Sequence, residues 1–274
     1  MEKYNIKQLE SLSKKIRYNI VKMIGPGKVG HLGGSCSIAD IVTVLYFYKM
    51  KHNPENPKMP DRDRFLLSKG HSALAQYAAL AETGYFQIEE LLSLKELGSK
   101  FQGHPDMLRL PGIEANTGSL GQGLSIAAGM AAAGKIDKKN YKVYCIIGDG
   151  EIAEGQIWEA SMAASFYKLD NLVAILDRNC LQATGCIEER FDTNPLKEKW
   201  EAFGWYAMEC NGHIITDIIK CLDGADKLNG KPIIIIADTV KGKGVSFAEN
   251  NAAYHNGLIT EEQYDQALKE LGGK

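Results

Sequence analysis

Two apolar runs in this sequence each end on a residue able to hold a hard cation. Val143-Tyr144-Cys145-Ile146-Ile147 leads into Gly148-Asp149-Gly150-Glu151, and residues 172–176 lead into Asp177-Arg178-Asn179, with a helical stretch between the two runs. A strand, a crossover helix and a second strand bring Asp149 and Asn179 to one edge of a parallel sheet, where such sheets carry their ligands. A carboxylate and an amide oxygen suit magnesium, with calcium or manganese as related choices, and leave its other positions to water and phosphate oxygens. The glycines beside Asp149 admit backbone N–H groups close to a diphosphate, and a helix starting near Gly155 adds a favourable dipole. Gly-Asp-Gly also caps turns in many loops, so the second strand ending in Asn179 is what argues for a site.

Histidines supply the second signal. The chain has 6, of which His31, His71, His104 and His255 follow glycine or lie close to one in loop-like stretches. His52 and His213 read as structural. None shows the HxxxH or HxH spacing of zinc ligands, which disfavours a zinc hydrolase.

These residues need a scaffold, and the apolar pattern indicates one. Phe65-Leu66-Leu67, residues 143–147, 172–176 and 233–237 are short continuous runs separated by helical patterns, as in an α/β fold with a parallel central sheet covered by helices on both faces. Ile6, Leu9, Leu12, Ile16 and Ile20 lie on one face of a first helix that stops near Gly25-Pro26-Gly27. A second helix is predicted over residues 37–50, ended by a Pro-rich connector over 53–60. A surface helix is predicted over 260–271, opened by the capping box Thr260-Glu261-Glu262-Gln263. No repeat or linker is visible, so residues 1–274 read as a single domain.

Composition narrows the function further. A formal charge of -2, with both signs interspersed along 274 residues, gives no reason to expect nucleic acid as a partner. The N-terminal stretch is polar and amphipathic rather than signal-like, and the most lipid-like segment, residues 126–133, is too short to span a membrane. The 6 cysteines show no CxxC spacing and read as free thiols in a reducing cytoplasm, with Cys145 on a buried strand. Neither Cys180 nor Cys186 has a basic motif nearby that would activate it.

Gly-Asp-Gly followed after one crossover by Asn resembles the thiamine diphosphate motif of transketolases, pyruvate dehydrogenases and decarboxylases. Further motifs are similar to those of transketolase in particular. They are Gly30-His31-Leu32-Gly33-Gly34-Ser35, Leu67-Ser68-Lys69-Gly70-His71, Phe101-Gln102-Gly103-His104-Pro105, Leu110-Pro111-Gly112-Ile113-Glu114 and Thr117-Gly118-Ser119-Leu120-Gly121-Gln122-Gly123. Val240-Lys241-Gly242-Lys243-Gly244 and, more loosely, His255-Asn256-Gly257 follow in family order.

The resemblance implies that Asp149, Asn179 and the backbone carbonyl of Leu181 hold the metal ion. It implies that His71, Gly150, Asn179 and His255 contact the cofactor's diphosphate side, and that Gly118 and Leu120 present backbone to its aminopyrimidine. His31, His104 and His255 would line the substrate channel. Glu154 resembles a family glutamate at the subunit interface and Glu151 stands at a variable position. Both are expected to be exposed glutamates at a helix start, with no proton-transfer role.

A complete transketolase resembles this chain followed by a domain that binds the aminopyrimidine and by a third domain. The resemblance therefore implies a separate C-terminal subunit, sugar phosphate substrates and a two-carbon ketol transfer, with homo-association through residues 122–134 inside a heterotetramer. The alternatives are one chain of an oxo-acid dehydrogenase, which would not be expected to show Leu-Ser-Lys-Gly-His and Gly-His-Pro in this order, and a non-catalytic protein that binds thiamine diphosphate or acts as a scaffold.

Overall fold

In the computed structural model, which describes residues 4–272, five parallel strands form the sheet in the order β1-β2-β3-β7-β6. These are β1 (Arg64–Leu67), β2 (Val143–Gly148), β3 (Leu172–Arg178), β6 (Tyr206–Asn211) and β7 (Ile233–Asp238). The expected single-domain span therefore has its two ends, 1–3 and 273–274, outside the described residues. A small antiparallel pair, β4 (Leu181–Gln182) and β5 (Gly185–Cys186), follows β3.

The central strands are buried on both sides, and their alternating residues enter two separate cores. Tyr144, Ile146, Val173, Ile175, Ile233 and Ile235 face a layer made by α1 (Ile6–Ile24), α3 (Ala39–Val44), α4 (Ala73–Glu82) and α9 (Ile215–Ala225). Val143, Cys145, Ile147, Leu172, Ala174 and Leu176 face α5 (Gln122–Ile136), α6 (Gly155–Phe166) and α8 (Leu196–Ala202). Burial on both faces is why these strands read as unbroken apolar runs. Edge strand β6, Tyr206-Ala207-Met208-Glu209-Cys210-Asn211, is half exposed and mixes polar with apolar residues, so no apolar run announces it.

Helix α1 opens on a capping box between Asn5 and Gln8 and ends at Gly25, whose φ of 61° leaves the helical region. The predicted second helix starts earlier than residue 37. A short α2 (Leu32–Ser37) begins directly after His31, breaks at Ile38, and continues as α3 into one wide turn that closes with Met50 N–H on the Leu45 carbonyl. The glycines at 33 and 34, which suggested loop, allow this close-packed helical turn. Short α7 (Ile187–Arg190) follows β5, and α10 (Glu261–Glu270) carries the predicted Thr260–Gln263 box. Among the described residues no helix is long and apolar enough to cross a membrane.

Candidate functional site

Strands β2 and β3 pair with Gly148 opposite Asp177, so the residues just beyond them emerge together at the carboxyl edge of the sheet. Asp149 Oδ1 accepts from Gly150 N–H at 2.8 Å and Oδ2 from Cys180 N–H at 2.5 Å, tying the two strand ends to each other. Cys180 takes a φ of 61°, which turns the chain so that the Leu181 carbonyl comes to the same side. Asn179 donates through Nδ2 to Asp177 at 2.9 Å and accepts through Oδ1 from Leu181 N–H at 3.2 Å.

Asp149, Gly150, Asn179 and Leu181 line one cavity of about 300 Å³ together with His31, His71, Gly118, Leu120 and His255. His104 joins the group through the His31 ring, with centroids 5.9 Å apart. All the residues expected to form a site are thus brought to one place. A larger cavity of about 710 Å³ beside Tyr48, His52 and Glu82 holds none of them.

The histidines converge from four loops. Gly30 and Gly257 exchange backbone hydrogen bonds at 3.2 Å, which sets His31 and His255 side by side with ring centroids 5.6 Å apart. His71 lies 5.2 Å from the His31 ring and 5.0 Å from the His255 ring. Two glycines make this packing feasible. A Cβ at Gly118, where φ is +150°, would come 2.8 Å from His104 Cδ2, and one at Gly70 would come 2.5 Å from the Thr117 carbonyl carbon. Among the described residues no trio of His, Cys, Asp or Glu converges closely enough to hold a metal.

The electrostatics follow from burial and neighbouring charge. Burial, with His255, His104 and nearby lysines, pushes the His31 imidazole down to about 3. Burial with Lys241 and Lys69 pushes His255 down to about 4, and His71 lies lower still through burial and Lys69. Near pH 7 these rings are neutral, each offering one donor and one acceptor. The Nδ1 atoms of His31 and His255 and the hydroxyls of Ser72 and Thr117 are buried without a protein partner. Buried polar atoms are normally satisfied, so the two imidazole nitrogens, whose rings line the cavity, fit a polar ligand. Burial and Asp177 raise the Asp149 carboxyl to about 6 despite Cys180 N–H, Lys69 and Lys241, as expected of a carboxylate suited to an added cation.

Three charged groups at the site carried no assigned role in the sequence. Lys69 is buried and ion-paired with fully buried Asp177, which also accepts from Ser37 at 2.7 Å and Thr239 at 2.5 Å. Lys241 is buried too and donates to the Leu181 carbonyl at 3.0 Å; burial and Lys69 push its ammonium down to about 8. Both lysines lie within the family-like motifs, but a buried lysine is rare and its sequence looks like that of a surface one. Asp177 had a visible signal, a lone carboxylate closing an apolar run.

Glu151 corrects the reading of an exposed helix-start residue. It is 2% exposed, and its carboxylate accepts from Ser68 Oγ, Gly121 N–H at 2.8 Å and Gly148 N–H at 3.0 Å. Glu154 is exposed at the start of α6, as expected. The 6 cysteines are free, and burial and Asp149 push the Cys180 thiol up, away from reactivity. His52 hydrogen-bonds the Tyr46 carbonyl at 2.7 Å and His213 bridges Asp40 and Val240 N–H, which fits the structural reading of both.

Residues 9–274 match the family model described as transketolase, thiamine diphosphate binding domain. The chain is 46% identical over 266 residues to an apulose-4-phosphate transketolase subunit of Phocaeicola vulgatus, covering 97% of this chain and 94% of that protein. It is 46% identical over 263 residues to the 6-deoxy-6-sulfo-D-fructose transketolase subunit SqwG of a Clostridium species, covering 96% of each. The crystal structure of transketolase from Campylobacter jejuni superposes with a TM-score of 0.93 at 35% identity, covering 99% of this chain and 44% of that one. The chain thus spans nearly the whole of the two subunits and less than half of that transketolase. With the sheet, the cavity and its residues in the arrangement described, the chain belongs to the transketolase family, to its thiamine diphosphate-binding domain.

Proposed function

We propose that residues 1–274 form one unit that binds thiamine diphosphate and a divalent cation and that acts with a separate C-terminal transketolase subunit to move a two-carbon ketol unit from a ketose phosphate to an aldose phosphate. The observation that carries this is the meeting of Asp149, Asn179 and Leu181 in one cavity with His31, His71 and His255, and with His104 packed against the His31 ring. The two relatives matched over nearly their whole length are named as transketolase subunits, which supports a partner chain. The substrates in their names also support a ketose with an anionic end group.

The donor set fits magnesium, or calcium or manganese: one carboxylate, one amide oxygen and one peptide carbonyl, all hard oxygens. Lys241, which holds the Leu181 carbonyl, is placed to turn towards the diphosphate, and Lys69, held by Asp177, adds positive charge on the same side. His71, Gly150, Asn179 and His255 would bind the diphosphate side, and Gly118 and Leu120 the aminopyrimidine. The cofactor, when bound, supplies a thiazolium carbon that adds to the ketose carbonyl. His31, His104 and His255 would hold substrate hydroxyls, a neutral ring accepting a hydroxyl proton and the resulting protonated ring returning it to substrate oxygen.

The outer surface of α5 and α6 supports homo-association. Gly129, Ala133 and Ile136 on one helix and Met162, Ala163 and Phe166 on the other are exposed, small or apolar. A heterotetramer of two such chains and two partners, in the cytoplasm where free thiols persist, accommodates that surface.

The test is a ketol-transfer assay with the copurifying polypeptide, using ketose phosphate against pyruvate, beside calorimetry with thiamine diphosphate and magnesium. Ketol transfer that needs both chains, and cofactor affinity that rises on mixing, are expected. Tight cofactor binding by this chain alone, with no transfer on mixing, would favour a sequestering protein instead.

A further inference from the structure

Three segments that wall the cavity come from distant parts of the chain. Ser68 follows β1 and leads to Lys69 and His71; Gly121 closes the loop carrying Gly118 and Leu120; Gly148 ends β2 and leads to Asp149 and Gly150. We propose that Glu151 is the positioning residue that joins these three walls and sets the spacing in which the diphosphate and its metal are gripped. The inference rests on the cofactor reading above.

The geometry is specific to a carboxylate. Oε1 accepts from Ser68 Oγ and from Gly121 N–H, and Oε2 accepts from Gly148 N–H. Each of the three segments thus gives one donor to a single acceptor-only group, which an ionised carboxylate accommodates with both oxygens. The surroundings are too tight for a replacement contact, since a Cβ at Gly123 would lie 2.4 Å from Ser68 Oγ. Glu154, also at the entrance to α6, makes no side-chain cap and is exposed, so the joining role does not follow simply from a glutamate at a helix start.

Replacing Glu151 by glutamine keeps the shape and forces one wall loose. If the amide nitrogen takes the Oε2 place it meets Gly148 N–H, donor against donor, and the metal-bearing loop is released. If it takes the Oε1 place it meets Gly121 N–H, and the loop with Gly118 and Leu120 is released, while Ser68 can turn to accept. The substitution also removes the penalty of burying a charge, so global stability is expected to move little. A residue serving only stability would show the opposite pattern.

The experiment measures thiamine diphosphate affinity by calorimetry with magnesium, in the complex with the copurifying chain, for wild type, Glu151→Gln and Ser68→Ala. Amide hydrogen exchange at Gly121 and Gly148 and thermal unfolding are followed in parallel. We expect affinity about tenfold weaker for Glu151→Gln and about threefold weaker for Ser68→Ala. Exchange should be faster at one of the two glycines in the glutamine variant, with a melting temperature near that of wild type. Unchanged affinity in Glu151→Gln, whatever its melting temperature, overturns the inference alone. A wild-type protein that takes up no thiamine diphosphate overturns the cofactor reading and this inference with it.

Discussion

Two buried clusters of charge lie in this fold, and they differ in what they lack. Arg17 gives both ends of its fork to Asp40, at 3.0 and 2.5 Å, and His213 donates to the same carboxylate at 2.8 Å while accepting Val240 N–H at 2.7 Å. Burial alone would raise the Asp40 carboxyl, yet Arg17 and His213 hold it well below the usual carboxylate range. At the strand edge, Asp149 is raised instead, and ring nitrogens of His31 and His255, which line the same cavity, go without partners among the described residues. A cluster whose charges are matched from within, with Arg17 Nε as its one unpartnered polar atom among the described residues, serves the fold, whereas one whose unpartnered ring nitrogens line a cavity beside a raised carboxyl is suited to a ligand.

The sharpest way to break this contrast is to disturb the matched cluster. Asp40→Asn leaves Arg17 buried with its main partner neutralised, and we expect a loss of about 3–5 kcal/mol in urea unfolding. Cofactor affinity of the folded variant should stay within about threefold of wild type, since Asp40 does not line the cavity. A small stability loss with a large affinity loss would reverse the roles given to the two clusters.

That contrast also explains how far the sequence could be read. Asp149 and Asn179 were visible because each closes a continuous apolar run, and those runs are continuous because the strands are covered on both faces. The histidines were visible beside glycines that close packing requires. Burial of Lys69, Lys241 and Glu151 was hidden, since it depends on partners from other segments: Asp177 for the first, the Leu181 carbonyl for the second, and Ser68 and Gly121 for the third. Strand β6 escaped because an edge strand has no need of an apolar run, and the start of α2 because paired glycines suggest loop.

A smaller effect is expected at the lysine of the unmatched cluster. Lys241→Met removes a buried cation near the diphosphate side while filling a similar volume. Thiamine diphosphate affinity should weaken about tenfold, with a shallower dependence on salt than wild type. Equal affinity and an equal salt slope would place Lys241 outside the diphosphate site.

The smallest effect concerns pH. His31 and His255 titrate at about 3 and about 4 in the folded chain, below the usual histidine value, so the unfolded chain binds more protons as pH falls from about 6.5. Their contribution to stability is therefore full above about 6.5 and declines towards 4. Asp149, raised to about 6, acts in the opposite direction in part of this window, so the histidine effect is read as a difference between proteins. The melting temperature of the ligand-free wild type should fall more between pH 7 and pH 5 than that of a His31→Asn, His255→Asn double variant. Equal slopes would mean that the two rings are not held neutral by burial.

The most direct test of the unmatched cluster as a metal and diphosphate site is calorimetric titration of thiamine diphosphate, with and without magnesium, into wild type and Asp149→Ala in the presence of the copurifying chain. Wild type should bind with a strong dependence on magnesium. The variant should lose that dependence and at least about a hundredfold in affinity, while still folding and unfolding in one cooperative transition. Magnesium-dependent binding of wild-type strength in Asp149→Ala would contradict the account.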